Sequence, residues 1–323
     1  MMLATEIEVK TLGNYAHKAI KKHLKKTLKW ETSVKKDEDP EALHQMRVGM
    51  RRLRTAVSRF DLAVNLPEAA NDKNIGKIGR RLGKLRDLDV LKETLERVYQ
   101  PNLPTEEQEY LQKAFTALGK QRKDVLEDVQ KTLKDERYKS IKTDLKDWLD
   151  KPIYKSIAEV QLREVIPDLL LPEISNFLLH PGWLVGSQVE NAEFVVPTDL
   201  EAGEIDEILV NNNEVLHSLR KEAKRIRYQM ELFTDLYGEP YAAFMADVKR
   251  IQEILGSMQD SVVLADWLDN VLKSDFANHL PTLADLFAQK RREMWQQWQP
   301  LQRRYLKSDN RRGLHLTILN LLG

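Results

Sequence analysis

The 323-residue sequence contains no cysteine. That absence removes disulfides, thiolate nucleophiles and cysteine-based zinc sites together, and it suits a reducing compartment. Glycine and proline are sparse as well, at 13 and 12 residues, so long helices meet few breakers. No apolar run approaches the ~18 residues of a membrane span. The strongest, residues 165–171, is interrupted by Pro167 and Asp168. The opening MMLATEIEVK places acids where a secretory signal needs a basic start and an apolar stretch. These absences predict a soluble cytoplasmic protein. Motifs that carry common chemistries are missing too: there is no GxxxxGKS/T, no GxSxG and no HExxH.

An overall excess of charge is also lacking, since 51 basic residues face 50 acidic ones. The balance excludes a chain that is basic throughout but leaves local fields open. Between His44 and Arg86 there are eleven Lys/Arg and three acids, Asp61, Glu68 and Asp72. The basic residues of this segment fall in rows. His44, Arg47, Arg51 and Arg54 recur at spacings of 3, 4 and 3, which stacks them along one side of a helix. Met46, Met50, Leu53, Val57 and Phe60 form an apolar stripe beside them. Asp39-Pro40 supplies an N-cap followed by proline at the first helical position.

A second basic row follows. Asp72 is a plausible cap for a helix over Lys73–Tyr99, in which Lys73, Lys77, Arg80 and Lys84 recur at 4, 3 and 4, opposite Ile75, Ile78, Leu82 and Leu85. Glycines at 76, 79 and 83 weaken that helix and leave room for close approach of another helix or a ligand. Ahead of both rows, Tyr15–Trp30 reads as a lysine-rich amphipathic helix with Ala16, Ile20, Leu24 and Leu28 in step. The expectation for its lysines is a solvated face, with an anion-binding role as the alternative. Past Pro101 and Pro104, Thr105 with Gln108 resembles a capping box for a helix over 106–132, and a shorter helix over 137–149 follows. Residues 152–203 hold five of the twelve prolines and read as a connector with one or two short helices. Helices over 281–305 and 314–321 end the chain.

From about Val210 the first pattern returns. His217, Arg220, Lys224 and Arg227 repeat the 3, 4, 3 spacing at an offset of 173 residues, beside Leu219, Ala223, Ile226, Met230 and Phe233. The same offset carries Leu82-Gly83 onto Leu255-Gly256, Asp87 onto Asp260 and Leu91 onto Leu264 without a gap. Two matches in separate helices predict an internal duplication, each copy a bundle of roughly four helices: residues 1–150, a connector over 151–209, and residues 210–323.

The chemistry these residues allow is narrow. Asp87 and Asp89 are the nearest approach to a metal-binding carboxylate pair, but i and i+2 on a helix point to different sides. Val262 replaces the second in the later copy, so a salt-bridge or capping role for Asp87 and Asp260 is expected. Glu6, Glu8 and Lys10 spell ExExK, the strand signature of CYTH-type triphosphate tunnel enzymes, yet no barrel-like pattern follows. The basic rows ask for an anion, or for carboxylates from other helices. Arginine offers bidentate contacts to phosphate oxygens, lysine a point charge, and histidine a donor. Apart from Tyr228 the rows lack aromatics for base stacking, so the expected ligand is phosphate without bases.

The stretches LHQMRVGMRRLR at 43–54, LGKLRDLDVL at 82–91 and LHSLRKEAKRIRY at 216–228 resemble the CHAD family, the conserved histidine α-helical domain. The resemblance covers almost the whole chain as a single CHAD-like domain. It implies an all-α fold of two four-helix bundles related by pseudo-twofold symmetry around a basic central groove. It also implies non-enzymatic binding of inorganic polyphosphate, in some members at polyphosphate granules. Carried over by position, it assigns phosphate contacts to His44, Arg47, Arg51, Arg54, Lys77, Arg80, Arg81 and Lys84. In the second copy it assigns them to His217, Arg220, Lys221, Lys224, Arg227 and Arg250. Glu253 and Ser257 stand where the first copy has Arg80 and Lys84, so a lopsided site is expected. No cofactor or metal is expected; nucleic acid is a disfavoured partner. The alternatives are a metal-dependent polyphosphate or triphosphate hydrolase and a scaffold for other polyanions.

Overall fold

The computed structural model describes residues 11–321, so the ExExK motif lies outside the described residues. Packing divides the chain into two compact units. Residues through Lys92 join Leu118–Leu169 in the first; Glu93–Ala117 join the residues from Leu170 onward in the second. The described chain is all-α apart from one two-stranded hairpin. No helix among the described residues is long and apolar enough to cross a membrane.

The first unit is built on α1 (Leu12–Lys29), α2 (Glu31–Lys36), α3 (Pro40–Phe60) and α4 (Asp72–Thr94), with the later part of α5 (Thr105–Lys134) and with α6 (Glu136–Asp150). Asp39 caps α3, its carboxylate accepting from the Glu41 amide at 2.8 Å, and Pro40 opens the helix. The α4 cap is Asn71 rather than Asp72: Asn71 Oδ1 accepts from the Asn74 amide at 2.8 Å. A single π turn, Leu95–Tyr99, closes the segment expected to run as one helix. The Thr105 box does not form, because the Gln108 side chain donates to the Leu103 carbonyl instead.

Packing, not local propensity, holds α1 in place. Lys18, Lys21, Lys22, Lys25, Lys26 and Lys29 are all exposed, and they make seven like-charge pairs: 18–21, 18–22, 21–25, 22–25, 22–26, 25–29 and 26–29. Each such pair destabilises a helix by about 0.2–0.5 kcal/mol. On the other side Leu12, Ile20 and Leu24 are buried as α1 packs along α3, at about 1.5–3 kcal/mol for each large side chain. Burial outweighs the repulsion.

The second unit contains most of α7 (Leu162–Leu178), a hairpin of β1 (Gln188–Glu190) and β2 (Glu193–Val195), α8 (Ala202–Asn211), α9 (Asn213–Glu231), α10 (Glu239–Leu272), α11 (Pro281–Leu306) and α12 (Ser308–Leu319). At 17 residues α7 is longer than the short helices expected there, with Pro167 and Pro172 inside it. Buried Leu170, Ile174 and Phe177 carry it through these breakers. The core of this unit is aromatic: Trp183 stacks on Trp298 at 5.0 Å and on Tyr305 at 5.2 Å.

Candidate functional site

The site begins with what α3 and α4 place opposite each other. Their facing sides enclose a half-open groove of about 240 Å³ lined by Arg47, Arg51 and Arg54 of α3 and by Gly76, Gly79, Arg80, Gly83 and Asp87 of α4, with Met50 and Ile75 behind. Four arginines and one carboxylate give this lining a positive balance. The glycines form its floor and set how close the arginines lie. A Cβ at Gly76 would stand 3.0 Å from Arg54 Nε and 3.1 Å from its Cζ. At Gly83 the nearest atom would be Arg47 Nε, at 3.7 Å. The Arg54 guanidinium rests on the helix backbone at Gly76, where a β-carbon would press on it, whereas at Gly83 a β-carbon would make only an ordinary contact with Arg47.

Carboxylates of α4 hold two of these arginines. Arg54 donates from Nε and Nη2 to Asp72 at 2.7 and 3.0 Å, a bidentate pair that raises the Arg54 pKa further. Arg47 Nη1 lies 3.1 Å from Asp87, whose carboxylate is two-thirds exposed. Asp72 and Asp87 are 15 residues apart, so they flank a stretch of helix about 22 Å long. Asp89 points elsewhere, with Oδ1 accepting from Arg122 at 2.7 Å, while Arg122 also grips both oxygens of Asp37 at 2.8 Å. That clamp ties α5 to α4 and to the α2 C-cap. Among the described residues no group of three or more His, Asp or Glu is placed to hold a metal ion.

The remaining candidates of the first unit do not line the groove. His44 is half-buried one turn ahead of Arg47. Lys77 and Lys84 are exposed on α4, each one residue past a floor glycine, hence about 100° round the helix from it. Arg81 is directed to α5, where Nη1 donates to Thr132 Oγ1 at 2.7 Å.

In the second unit α9 and α10 repeat part of this arrangement. Arg220 lies over Gly256, with Nε 3.1 Å from where a Cβ would be, and Nη2 is 3.5 Å from Asp260. The pairing fails two turns along. At the 173-residue offset, Gly76, Gly79 and Asp72 become Lys249, Gln252 and Met245, so both the floor and the bidentate carboxylate are replaced. Arg227 turns to its own helix instead, 4.6 Å over the Tyr228 ring and 3.7 Å from Glu231. Lys221 and Arg250 are exposed, and Lys224 is half-buried. His217 borders a cavity of about 20 Å³ with Asn213, Gln259 and Arg291. Its Nδ1 is buried without a hydrogen-bond partner among the described residues, and burial, then Lys221, Arg220 and Lys224, lower its pKa.

Comparison with known proteins fits this architecture. The sequence pattern of the CHAD domain matches residues 18–269, most of the chain and all of the candidate residues. The chain belongs to the CHAD family. Its fold is similar to the crystal structure of the CHAD domain from the plant Ricinus communis, with a TM-score of 0.63 and 23% identity over 99% of this chain and 98% of that one. It is also similar to PptA from Streptomyces chartreusis, with a TM-score of 0.59 and 12% identity over 91% of this chain and 99% of that one. No curated protein matches the sequence.

Within this CHAD domain the rows of Lys and Arg were readable as helix periodicity. The carboxylates that answer them were not, because Asp72 lies 18 residues from Arg54 in the chain and reads as a cap. The glycine floor was half visible: three glycines on a helix signalled close approach without naming the arginines as what approaches. The Arg122 clamp carried no signal.

Proposed function

We propose that this CHAD domain binds inorganic polyphosphate without hydrolysing it. The observation that carries the reading is the α3–α4 groove, lined by Arg47, Arg51, Arg54, Arg80 and three glycines, with a single carboxylate among the lining residues and Arg54 resting on Gly76. Planar guanidinium groups spaced along one helix face suit the repeating oxygens of a phosphate chain. No aromatic residue lines the groove, which favours an anion without bases over nucleic acid. Arg47, Arg51, Arg54 and Arg80 are the primary contacts, with His44, Lys77, Arg81 and Lys84 around them. His217, Arg220, Lys221, Lys224, Arg227 and Arg250 form a weaker second set. On this reading the two sets descend from one duplicated bundle, and the protein works in the cytoplasm at polyphosphate granules.

The deciding experiment is a titration of the purified chain with polyphosphate of several lengths across a range of salt. Affinity should fall steeply with salt as counterions are released. An absence of binding at low salt overturns the proposal. A parallel assay for phosphate release with and without magnesium separates binding from hydrolysis, and metal-dependent release abolished by Asp87→Asn would favour the hydrolase. Polyphosphate should also displace DNA at equal phosphate concentration.

A further inference from the structure

The groove leaves one strongly charged surface of the first unit unused. Helix α1 carries Lys18, Lys21, Lys22, Lys25, Lys26 and Lys29, every one exposed, and none pairs with a carboxylate among the described residues. Taking 100° per residue, the six fall within an arc of about 140°, opposite the buried Leu12, Ala16, Ile20 and Leu24. Lys18, Lys22, Lys25 and Lys29 form the centre line of that arc at spacings of 4, 3 and 4, along about 17 Å of helix.

This surface differs from the other outer faces of the unit. In α5 and α6 the lysines alternate with acids and pair along the helix, as Lys131 does with Asp128 and Lys139 with Glu136. Helix α1 contains no Asp or Glu at all. Its seven like-charge pairs oppose the helix, and no carboxylate of the described residues offsets them; Lys29 has a ring beside it, its Nζ 4.9 Å over Trp30. An extended anion lying along the helix would offset them. The face has no apolar side chain to insert into a lipid surface, because the apolar side of α1 is committed to α3. Tyr15 and Trp30, the only Tyr, Phe or Trp between residues 11 and 30, sit near its two ends, so base stacking has no row to use.

We infer that the lysine face of α1 is a second polyphosphate-binding surface, engaged by long chains through point-charge contacts and separate from the arginine groove. It rests on the polyphosphate reading for the nature of the ligand, not for its existence. Lysine ammonium groups lack the fixed fork of arginine, so this face contributes length-dependent avidity rather than a shaped site.

The test pairs two variants of the full chain. One is Lys18→Gln, Lys22→Gln, Lys25→Gln and Lys29→Gln together; the other is Arg47→Gln, Arg51→Gln and Arg54→Gln together. Each is titrated with a short oligophosphate and a long polyphosphate at several salt concentrations, and circular dichroism monitors the fold. The lysine variant should bind the short ligand within about twofold of the parent and lose about tenfold or more on the long one. Its salt slope for the long ligand should drop by about three. Arginine at the same four positions should restore long-chain binding. Unchanged long-chain affinity and slope in a folded lysine variant overturns the inference. So does loss of binding to DNA or to anionic vesicles with long-chain polyphosphate binding intact. An arginine variant that still binds both ligands sinks the groove reading while leaving the α1 face standing.

Discussion

Arg54 lies flat over Gly76, its Nε 3.0 Å from the point where a β-carbon would begin, and it is held there by two hydrogen bonds to Asp72. The geometry separates stability from binding at one position. Alanine within a helix is favoured over glycine by about 0.5–1 kcal/mol, and here the atoms it meets belong to the end of a flexible side chain. Gly76→Ala is therefore expected to keep or raise the melting temperature while displacing the guanidinium. Polyphosphate affinity should fall about fivefold, roughly 1 kcal/mol. Gly83→Ala is the control, since its β-carbon makes an ordinary 3.7 Å contact with Arg47. Calorimetry and titration on the two variants should show similar stabilisation and unequal binding.

Asp72 competes with any anion for Arg54. Both side chains are roughly 40% exposed or more, so the pair contributes no more than about 1 kcal/mol to stability. Asp72→Asn should leave the melting temperature nearly unchanged and tighten polyphosphate binding severalfold at low salt. Asp87→Asn should do the same through Arg47. Weaker binding in both would mean that these carboxylates hold the arginines in the binding pose rather than blocking it.

The two rows are expected to contribute unequally. Arg47, Arg51 and Arg54 border an open groove. Arg220 keeps a carboxylate neighbour in Asp260, as Arg47 does in Asp87, but Lys249 and Gln252 replace the Gly76–Gly79 floor, and Arg227 lies against the Tyr228 ring and Glu231 of its own helix. Neutralising the first three should cost about a hundredfold in affinity and flatten the salt slope by about 2–3. Neutralising Arg220, Lys224 and Arg227 should cost about tenfold. Equal losses measured by titration would show that the asymmetry has no functional weight.

His23 makes the first unit sensitive to acid. It is buried on α1, and burial, then the charges of Arg52, Lys22 and Lys26, lower its pKa from 6.5 to about 4. Because the folded value lies below the unfolded one, the unfolded chain binds the extra proton first. The neutral imidazole's contribution is whole above pH 6.5 and is lost as pH falls through 4, about 3 kcal/mol in all. Melting curves from pH 7 to pH 4 should show this loss, and His23→Met should remove that part of it.

Much of the fold was legible because apolar periodicity and cap residues act locally. Asp39-Pro40 opened α3 where expected, and the rows from His44 and Lys73 lie on the helices they implied. What escaped was non-local. The 17-residue helix α7 contains two prolines that local rules treat as stops, and only its buried contacts explain it. Arg81 sat in a basic row by spacing, yet a threonine 51 residues away draws it to α5. Asp72 read as a cap because its arginine partner lies on another helix.

An arginine that must rest on a glycine makes two distant positions a single heritable unit. Where Gly76 is matched by Lys249, the corresponding arginine is still present but points along its own helix. Across relatives, the positions of Arg54, Gly76 and Asp72 should therefore change together, and counting basic residues alone will overstate which of them keep an open groove. The informative signature in a new sequence is the glycine, which bears no charge at all.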